Sequence, residues 1–356
     1  MSCILAYNER GRVPELLRSC IVLNFHLIRR SGLILKAIVT GAAGFIGSHL
    51  SERLLQLGYE VWGIDCFTDY YSREIKKRNL SFLWGQDGFH FEQADLVDLP
   101  LKERLQGIDY VFHQAAQAGV RASWGDQFDI YTRNNILATQ KLLEACRIMP
   151  VRKFIYASSS SVYGEAEQLP MKEEHLPRPI SPYGVSKLAG EHLCGLYDYN
   201  YGVPVVSLRY FTVYGPRQRP DMGFHKFCRA ILRGEEIEIY GDGRQTRDFT
   251  YISDAVEANI AAAENDNARG VFNIGGGSRV NLRSVLSLLE NYCGRKALVR
   301  YVETQEGDPR HTYADTSRAH GVLGYRPQVE MEEGLQAKVE YVKQLLDEGL
   351  SITQRK

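Results

Sequence analysis

The sequence has no net charge: Lys plus Arg number 43 and Asp plus Glu number 43. Such a balance gives no electrostatic reason to bind a nucleic-acid backbone or an anionic membrane surface. A cysteine framework is missing too. The seven cysteines (Cys3, Cys20, Cys66, Cys146, Cys194, Cys228 and Cys293) are scattered, odd in number and without metal-ligand spacing. This argues against disulfides and a metal centre, and for reduced thiols in a cytoplasmic protein. Long hydrophobic runs are scarce. The stretch SCIVLNFHLI is broken by Asn24 and His26 and is too short to cross a bilayer. It has no small-residue cleavage site, and RRSGLILKAIVTG runs straight into a first core strand. Residues 1–32 are therefore expected to be an extension outside the core; the alternative is a short packing or membrane-surface helix. Internal repeats and low-complexity tracts are absent.

What is present from Leu33 onward is an alternation of strands and helices. LILKAIVTG, YEVWGID, DYVFHQAA, KFIYASSS and VPVVSLRY read as strands buried on both faces. Between them lie amphipathic helices, including one around Ile130 to Cys146 and one around Lys187 to Leu196. This rhythm predicts an α/β fold with a doubly wound parallel sheet. After Phe211 the rhythm loosens into GPRQRPDMG, YGDGRQTRDFTY and ETQEGDPRHTY. The expected domains are a sheet domain over 33–210 and a smaller lobe over 211–356. Part of about 249–275, including GVFNIGGG, is expected to return to the sheet.

VTGAAGFIG joins the first strand to the first helix. Gly41 permits the tight turn, Gly44 lets backbone approach a pyrophosphate, and Gly47 allows close helix–strand packing, with Phe45 and Ile46 between them. The helix N-terminus offers N–H groups to an anion. A tight strand–helix turn is the plainer reading of three glycines. Asp65, ending the second strand, adds the acid that binds adenosine ribose hydroxyls and repels a 2′-phosphate, so NAD is favoured over NADP.

SPYGVSK places Tyr183 and Lys187 four residues apart, on one helix face. An ammonium beside a phenol favours the phenolate, which can then serve as a general base. The alternative is the polar start of one more helix.

The Gly-x-x-Gly-x-x-Gly spacing together with SPYGVSK resembles the extended branch of the short-chain dehydrogenase/reductase superfamily, over nearly the whole chain from Leu33. The resemblance implies a Rossmann-like sheet, cofactor contacts from Asp95, Leu96, Ala115, Ala116 and Tyr210, and support of the active site by Asn134. It also implies that Ser159 hydrogen-bonds the reacting oxygen. Where similar dehydratases and UDP-glucuronate decarboxylases carry acids before the VYG, this chain has Ser160 and Ser161. Loss of water or carbon dioxide is thereby disfavoured, and reversible oxidation at one carbon remains. RYFTVYGPRQRPDM is similar to the sugar-nucleotide 4-epimerases, most of all the UDP-glucuronate 4-epimerases. That similarity implies a substrate site with Thr212, Arg219 on the sugar carboxylate, Arg247 on the UDP pyrophosphate, and Asp308. Gln305 stands where UDP-galactose 4-epimerases have an arginine. For Arg217 a solvated loop is equally open.

The expected activity is an NAD-dependent UDP-sugar 4-epimerase interconverting UDP-glucuronate and UDP-galacturonate. The first alternative is the neutral UDP-glucose/UDP-galactose pair. UDP-glucuronate decarboxylase, sugar-nucleotide dehydratase and non-catalytic NAD-binding scaffold follow. The helices around Ile130–Cys146 and Lys187–Leu196 resemble those of a four-helix dimer interface, implying a homodimer.

Overall fold

The computed structural model describes residues 34–304 and 307–350. The extension over 1–32, Cys3, Cys20 and Gln305 lie outside the described residues. The first strands and helices run β1 (Lys36–Thr40), α1 (Phe45–Gln56), β2 (Glu60–Asp65), α2 (Arg73–Leu80), β3 (Phe89–Gln93) and β4 (Tyr110–His113). They continue with α3 (Ala138–Ile148), β5 (Lys153–Ser159), α4 (Pro182–Tyr201) and β6 (Val205–Tyr210). The second half adds β7 (Val213–Tyr214), α5 (Gly223–Arg233), β8 (Glu236–Tyr240), β9 (Thr246–Asp248), β10 (Thr250–Tyr251) and α6 (Ile252–Glu264). It ends with β11 (Gly270–Ile274), β12 (Arg279–Asn281), α7 (Leu282–Cys293), β13 (Leu298–Val302), α8 (Ser317–Leu323) and α9 (Met331–Asp347).

Seven strands form one sheet in the order β11-β6-β5-β4-β1-β2-β3, every neighbouring pair parallel. Strands β4 and β6 are buried at every position, as a sheet covered on both faces requires. On α1, Leu50 and Leu54 are spaced to share one face and are fully buried, each contributing roughly 1.5–3 kcal/mol of apolar burial. Strand order reverses direction between β1 and β4, and a crevice opens there at the carboxyl ends of the strands.

The chain leaves the sheet after β6 and comes back: α6 contributes Ala255, Val256 and Ile260 to the sheet core, and β11 pairs with β6. Helix α8 also packs there through Ala319 and Leu323, while α5, β8, α7 and α9 enclose a second core with Phe227, Ile231, Ile237, Leu289, Val339 and Val342 buried together. This smaller lobe sits over the carboxyl edge of the sheet.

One helix differs from its expected form. The segment around Ile130 begins as a turn over Phe128–Tyr131, widens into a π-helical stretch over Thr132–Leu137, and only then becomes α3. The widening coincides with Asn135, whose amide is spent entirely on tertiary bonds. It accepts from Gln117 N at 2.7 Å and donates to Gln117 O at 3.0 Å and Ser186 Oγ at 2.8 Å. Such bulges are frequent where a helix is bent to serve a site.

Candidate active site

Two clefts meet at the strand ends. The first, of about 200 Å³, is lined by Gly41, Gly44, Phe45, Ile46, Gly47, Asp65, Asp95, Leu96, Ala115, Ala116, Asn134, Tyr183, Lys187 and Tyr210, every residue expected to hold the cofactor. The three glycines form a cradle that leaves no room for a side chain at Gly41 or Gly47 and little at Gly44. A Cβ on Gly41, which has φ +70°, would lie 2.9 Å from Ala115 backbone, and one on Gly44 would lie 3.0 Å from Gly41 O. A Cβ on Gly47 would fall 2.2 Å from Gly41 O. Gly44 caps α1 without a side-chain hydrogen bond, so backbone alone fronts the cleft. A bare backbone cradle at a helix N-terminus, with an acid at the end of β2, fits a dinucleotide.

The floor is fixed by a relay of neutral groups. His113 is buried and its pKa falls to about 3 through burial, with the Lys187 charge adding to the effect. Its Nδ1 meets Thr40 Oγ1 at 2.8 Å and its Nε2 meets Thr139 Oγ1 at 2.9 Å. Thr40 Oγ1 in turn accepts from Ala115 N at 3.1 Å, holding the loop after β4 against the glycine turn.

Helix α4 carries the Tyr–Lys pair. It starts cleanly: Ser181 Oγ accepts from Gly184 N at 3.1 Å and Pro182 occupies the first turn. It stops at Gly202, whose φ of +69° suits a residue without Cβ. The helix thus presents Tyr183 and Lys187 to the same cleft. Lys187 Nζ donates to Ala157 O at 2.8 Å and lies 5.2 Å from the Tyr156 ring centroid. Burial drops its pKa to about 7, with Cys194 pulling weakly the other way. The Tyr183 phenol moves the opposite way from the sequence expectation. Burial raises it, while the Arg219 charge and a hydrogen bond with Ser159 pull it back. The positive charge acting on this phenol is therefore Arg219 from the second lobe, in place of the expected Lys187. Ser159 is itself anchored, donating to Ser161 Oγ and accepting from Ser161 N, each at 3.1 Å.

The second cleft, of about 1250 Å³, opens between the lobes and is lined by Thr212, Arg219, Arg247 and Asp308, four of the five expected substrate residues; the fifth, Ser159, lines neither cleft and is tied to the site through its hydrogen bond with Tyr183. Tyr70 and Arg219 line both clefts. Arg219 is not a free charge: its Nε and Nη2 each donate to Asp221 at 2.9 Å, and Tyr70 OH donates to Asp221 Oδ2 at 3.2 Å. Burial opposes the guanidinium charge, but Asp221 outweighs it and raises the Arg219 pKa. Arg247 differs. It donates to Thr246 O and Arg310 O at 3.0 Å, forms no ion pair among the described residues, and has its pKa lowered by burial. A half-buried guanidinium bonded to carbonyls through Nη1 suits an incoming anion. Asp308 accepts from Arg121 Nη2 at 2.8 Å, a bond that crosses between the lobes.

Arg217 belongs to neither cleft. At φ +60° it turns away and pairs with Glu52 of α1 at 2.9 Å. The support expected of Asn134 falls to its neighbour: Asn134 lines the cofactor cleft, while Asn135 makes the supporting bonds to α4. Sequence reasoning missed Asn135, Tyr70, Asp221 and Lys76. Asn135 adjoins Asn134 and Asp221 lies within RYFTVYGPRQRPDM, so their positions were a usable signal; Tyr70 and Lys76 offered none.

The chain matches the model of the NAD dependent epimerase/dehydratase family over residues 37–275. It is 45% identical over 313 residues to the uncharacterized UDP-glucose epimerase YtcB of Bacillus subtilis (strain 168), covering 87% of this chain and 99% of that protein. It is 37% identical over 316 residues to a UDP-glucuronate 4-epimerase of Thermodesulfobacterium geofontis (strain OPF15), covering 87% and 97%. Among solved structures, the UDP-glucuronic acid 4-epimerase from Bacillus cereus in complex with UDP-glucuronic acid and NAD superposes with a TM-score of 0.85. The identity there is 46%, covering 87% of this chain and 100% of that one.

Proposed function

Since the chain belongs to the NAD dependent epimerase/dehydratase family, we propose that its substrate is UDP-glucuronate, converted reversibly to UDP-galacturonate through a 4-keto sugar. Its class is NAD-dependent UDP-sugar 4-epimerase, an isomerase. When bound in the narrow cleft, NAD would supply a reversible hydride acceptor for the sugar and a positive ring that favours the Tyr183 phenolate. Tyr183 takes the proton of the reacting hydroxyl and gives it back. Ser159, locked by Ser161, orients that hydroxyl. Lys187, held on Ala157 O in the same cleft, would add positive charge to the site when protonated. Arg247 meets the diphosphate. Ser160 and Ser161 offer no carboxylate to move a second proton, which speaks against dehydration and decarboxylation. The retained Tyr183–Lys187 pair speaks against a non-catalytic scaffold.

The observation that carries the uronate reading is Arg219, which lines the same cleft as Tyr183 and spends its Nε–Nη2 edge on Asp221. Its other edge, with Nη1, is what a sugar carboxylate would meet. The Asp221 pair also favours a second reading, since it offsets the charge a carboxylate needs, and leaves a site for neutral UDP-glucose or UDP-galactose. Coupled assays on both sugars decide. For Arg219→Leu, kcat/KM for the uronate relative to the neutral sugar should fall by roughly 10- to 100-fold. Equal turnover of the neutral sugar by wild type and variant, with no uronate activity in either, would sink the carboxylate role.

On this reading residues 33–210 hold NAD and 211–356 mainly hold the UDP-sugar, with part of 249–275 serving the sheet. Leu137, Val185 and Leu196 expose apolar surface on and beside α3 and α4, which supports a homodimer. Sedimentation velocity should then give twice the chain mass of 40.4 kDa; a single-chain mass refutes it. Five cysteines are free among the described residues, and no described helix is long and apolar enough to cross a membrane, consistent with a cytoplasmic location.

A further inference from the structure

An acid at the end of β2 is normally read as a bare negative charge that repels a 2′-phosphate. Here Asp65 is not bare. Lys76 of α2 donates from Nζ to Asp65 Oδ1 at 3.2 Å, and both side chains are only 7% exposed. Phe67 N donates to the same oxygen at 2.8 Å, and Ala43 N donates to Oδ2 at 3.2 Å. The ammonium also lies 5.8 Å from the Phe67 ring centroid and 5.3 Å from that of Tyr71. Asp65 and Lys76 line the cleft together with the glycine loop. The other nearby acid, Asp95, is taken by Arg133 at 3.1 Å and Val97 N at 2.9 Å.

We infer that Lys76 is a second determinant of dinucleotide choice: a latent 2′-phosphate cation that Asp65 holds in check. This rests on reading the narrow cleft as the dinucleotide site. A buried pair of zero net charge repels a phosphate weakly. Discrimination then depends on Asp65 outcompeting the phosphate for Lys76. Without the Asp65 carboxylate, the ammonium is left buried and unpaired, a costly state that a phosphate dianion would relieve.

The test uses protein purified from cells containing both nucleotides, denatured, with released NAD and NADP quantified. Wild type should release NAD. Asp65→Ala should raise the NADP share about tenfold or more, and adding Lys76→Met should return it to the wild-type share. Wild type releasing NAD while Asp65→Ala shows no gain in NADP, or a gain that survives Lys76→Met, overturns the inference. Wild type releasing neither nucleotide overturns the cleft reading beneath it. Should Asp65→Ala not fold, Lys76→Met alone decides: the NADPH-to-NADH ratio of dissociation constants, from fluorescence titration, should rise about tenfold. An unchanged ratio refutes the role.

Discussion

Lys187 on α4 and Lys338 on α9 are the same chemical object placed in two lobes. Both are buried, both lack an ion pair among the described residues, and burial draws both to a pKa of about 7. Their surroundings separate them. Lys187 lines the narrow cleft one helical turn from Tyr183, with its ammonium fixed on Ala157 O. Lys338 lines neither cleft; its Nζ meets His225 Nδ1 at 3.1 Å and lies 5.4 Å from the Tyr341 ring centroid. A perturbed pKa therefore does not locate a site by itself. The cleft and the neighbouring hydroxyls do.

The comparison breaks most sharply at Tyr183. Tyr183→Phe keeps the ring, its packing against Tyr131 and the helix start, and removes only the proton carrier. Epimerase kcat should fall by about 10²–10⁴-fold while NAD is still released on denaturation. Undiminished turnover would remove the Tyr–Lys pair from the chemistry and leave Lys187 no more functional than Lys338.

The contrast also explains what could be read from sequence. The parallel sheet was legible because a strand buried on both faces writes a continuous apolar run, and the glycine turn writes its own spacing, whereas the strand order came only with the structure. The same locality exposed the Tyr183–Lys187 spacing. Pairings across long separations leave no such trace. Arg219 with Asp221 lies within one motif, yet the effect of Arg219 on the Tyr183 phenol joins residues 36 positions apart (219 minus 183). Asn135 bonding Ser186, Lys76 neutralising Asp65 and Lys338 meeting His225 depend on tertiary placement alone. The π-helical stretch that parts Asn134 from Asn135 is likewise a tertiary bend in a sequence with helical periodicity.

The smaller effect is expected at Lys338. His225 Nδ1 sits 3.1 Å from both Lys338 Nζ and Gln218 O. One ring nitrogen cannot donate to the carbonyl and accept from the ammonium at once, so a charged Lys338 is poorly satisfied. Because the folded chain holds this proton less tightly than the unfolded chain, wild-type stability rises with pH between about 7 and 10.5. Below that window both states are protonated and the burial cost stands in full. Cys228, the other titratable group acting on Lys338, stays a neutral thiol here, its pKa pushed up to about 12 by burial. Lys338→Met keeps the apolar stem, leaves His225 free to donate to Gln218 O, and removes the cost. Unfolding free energy at pH 7 should increase by a few kcal/mol, on the order of the shift itself. The rise between pH 7 and 9 in denaturant melts should shrink, leaving the part due to Lys187. A destabilised variant with an unchanged pH slope would mean that Lys338 is charged and well held in the fold, and the likeness between the two lysines would end there.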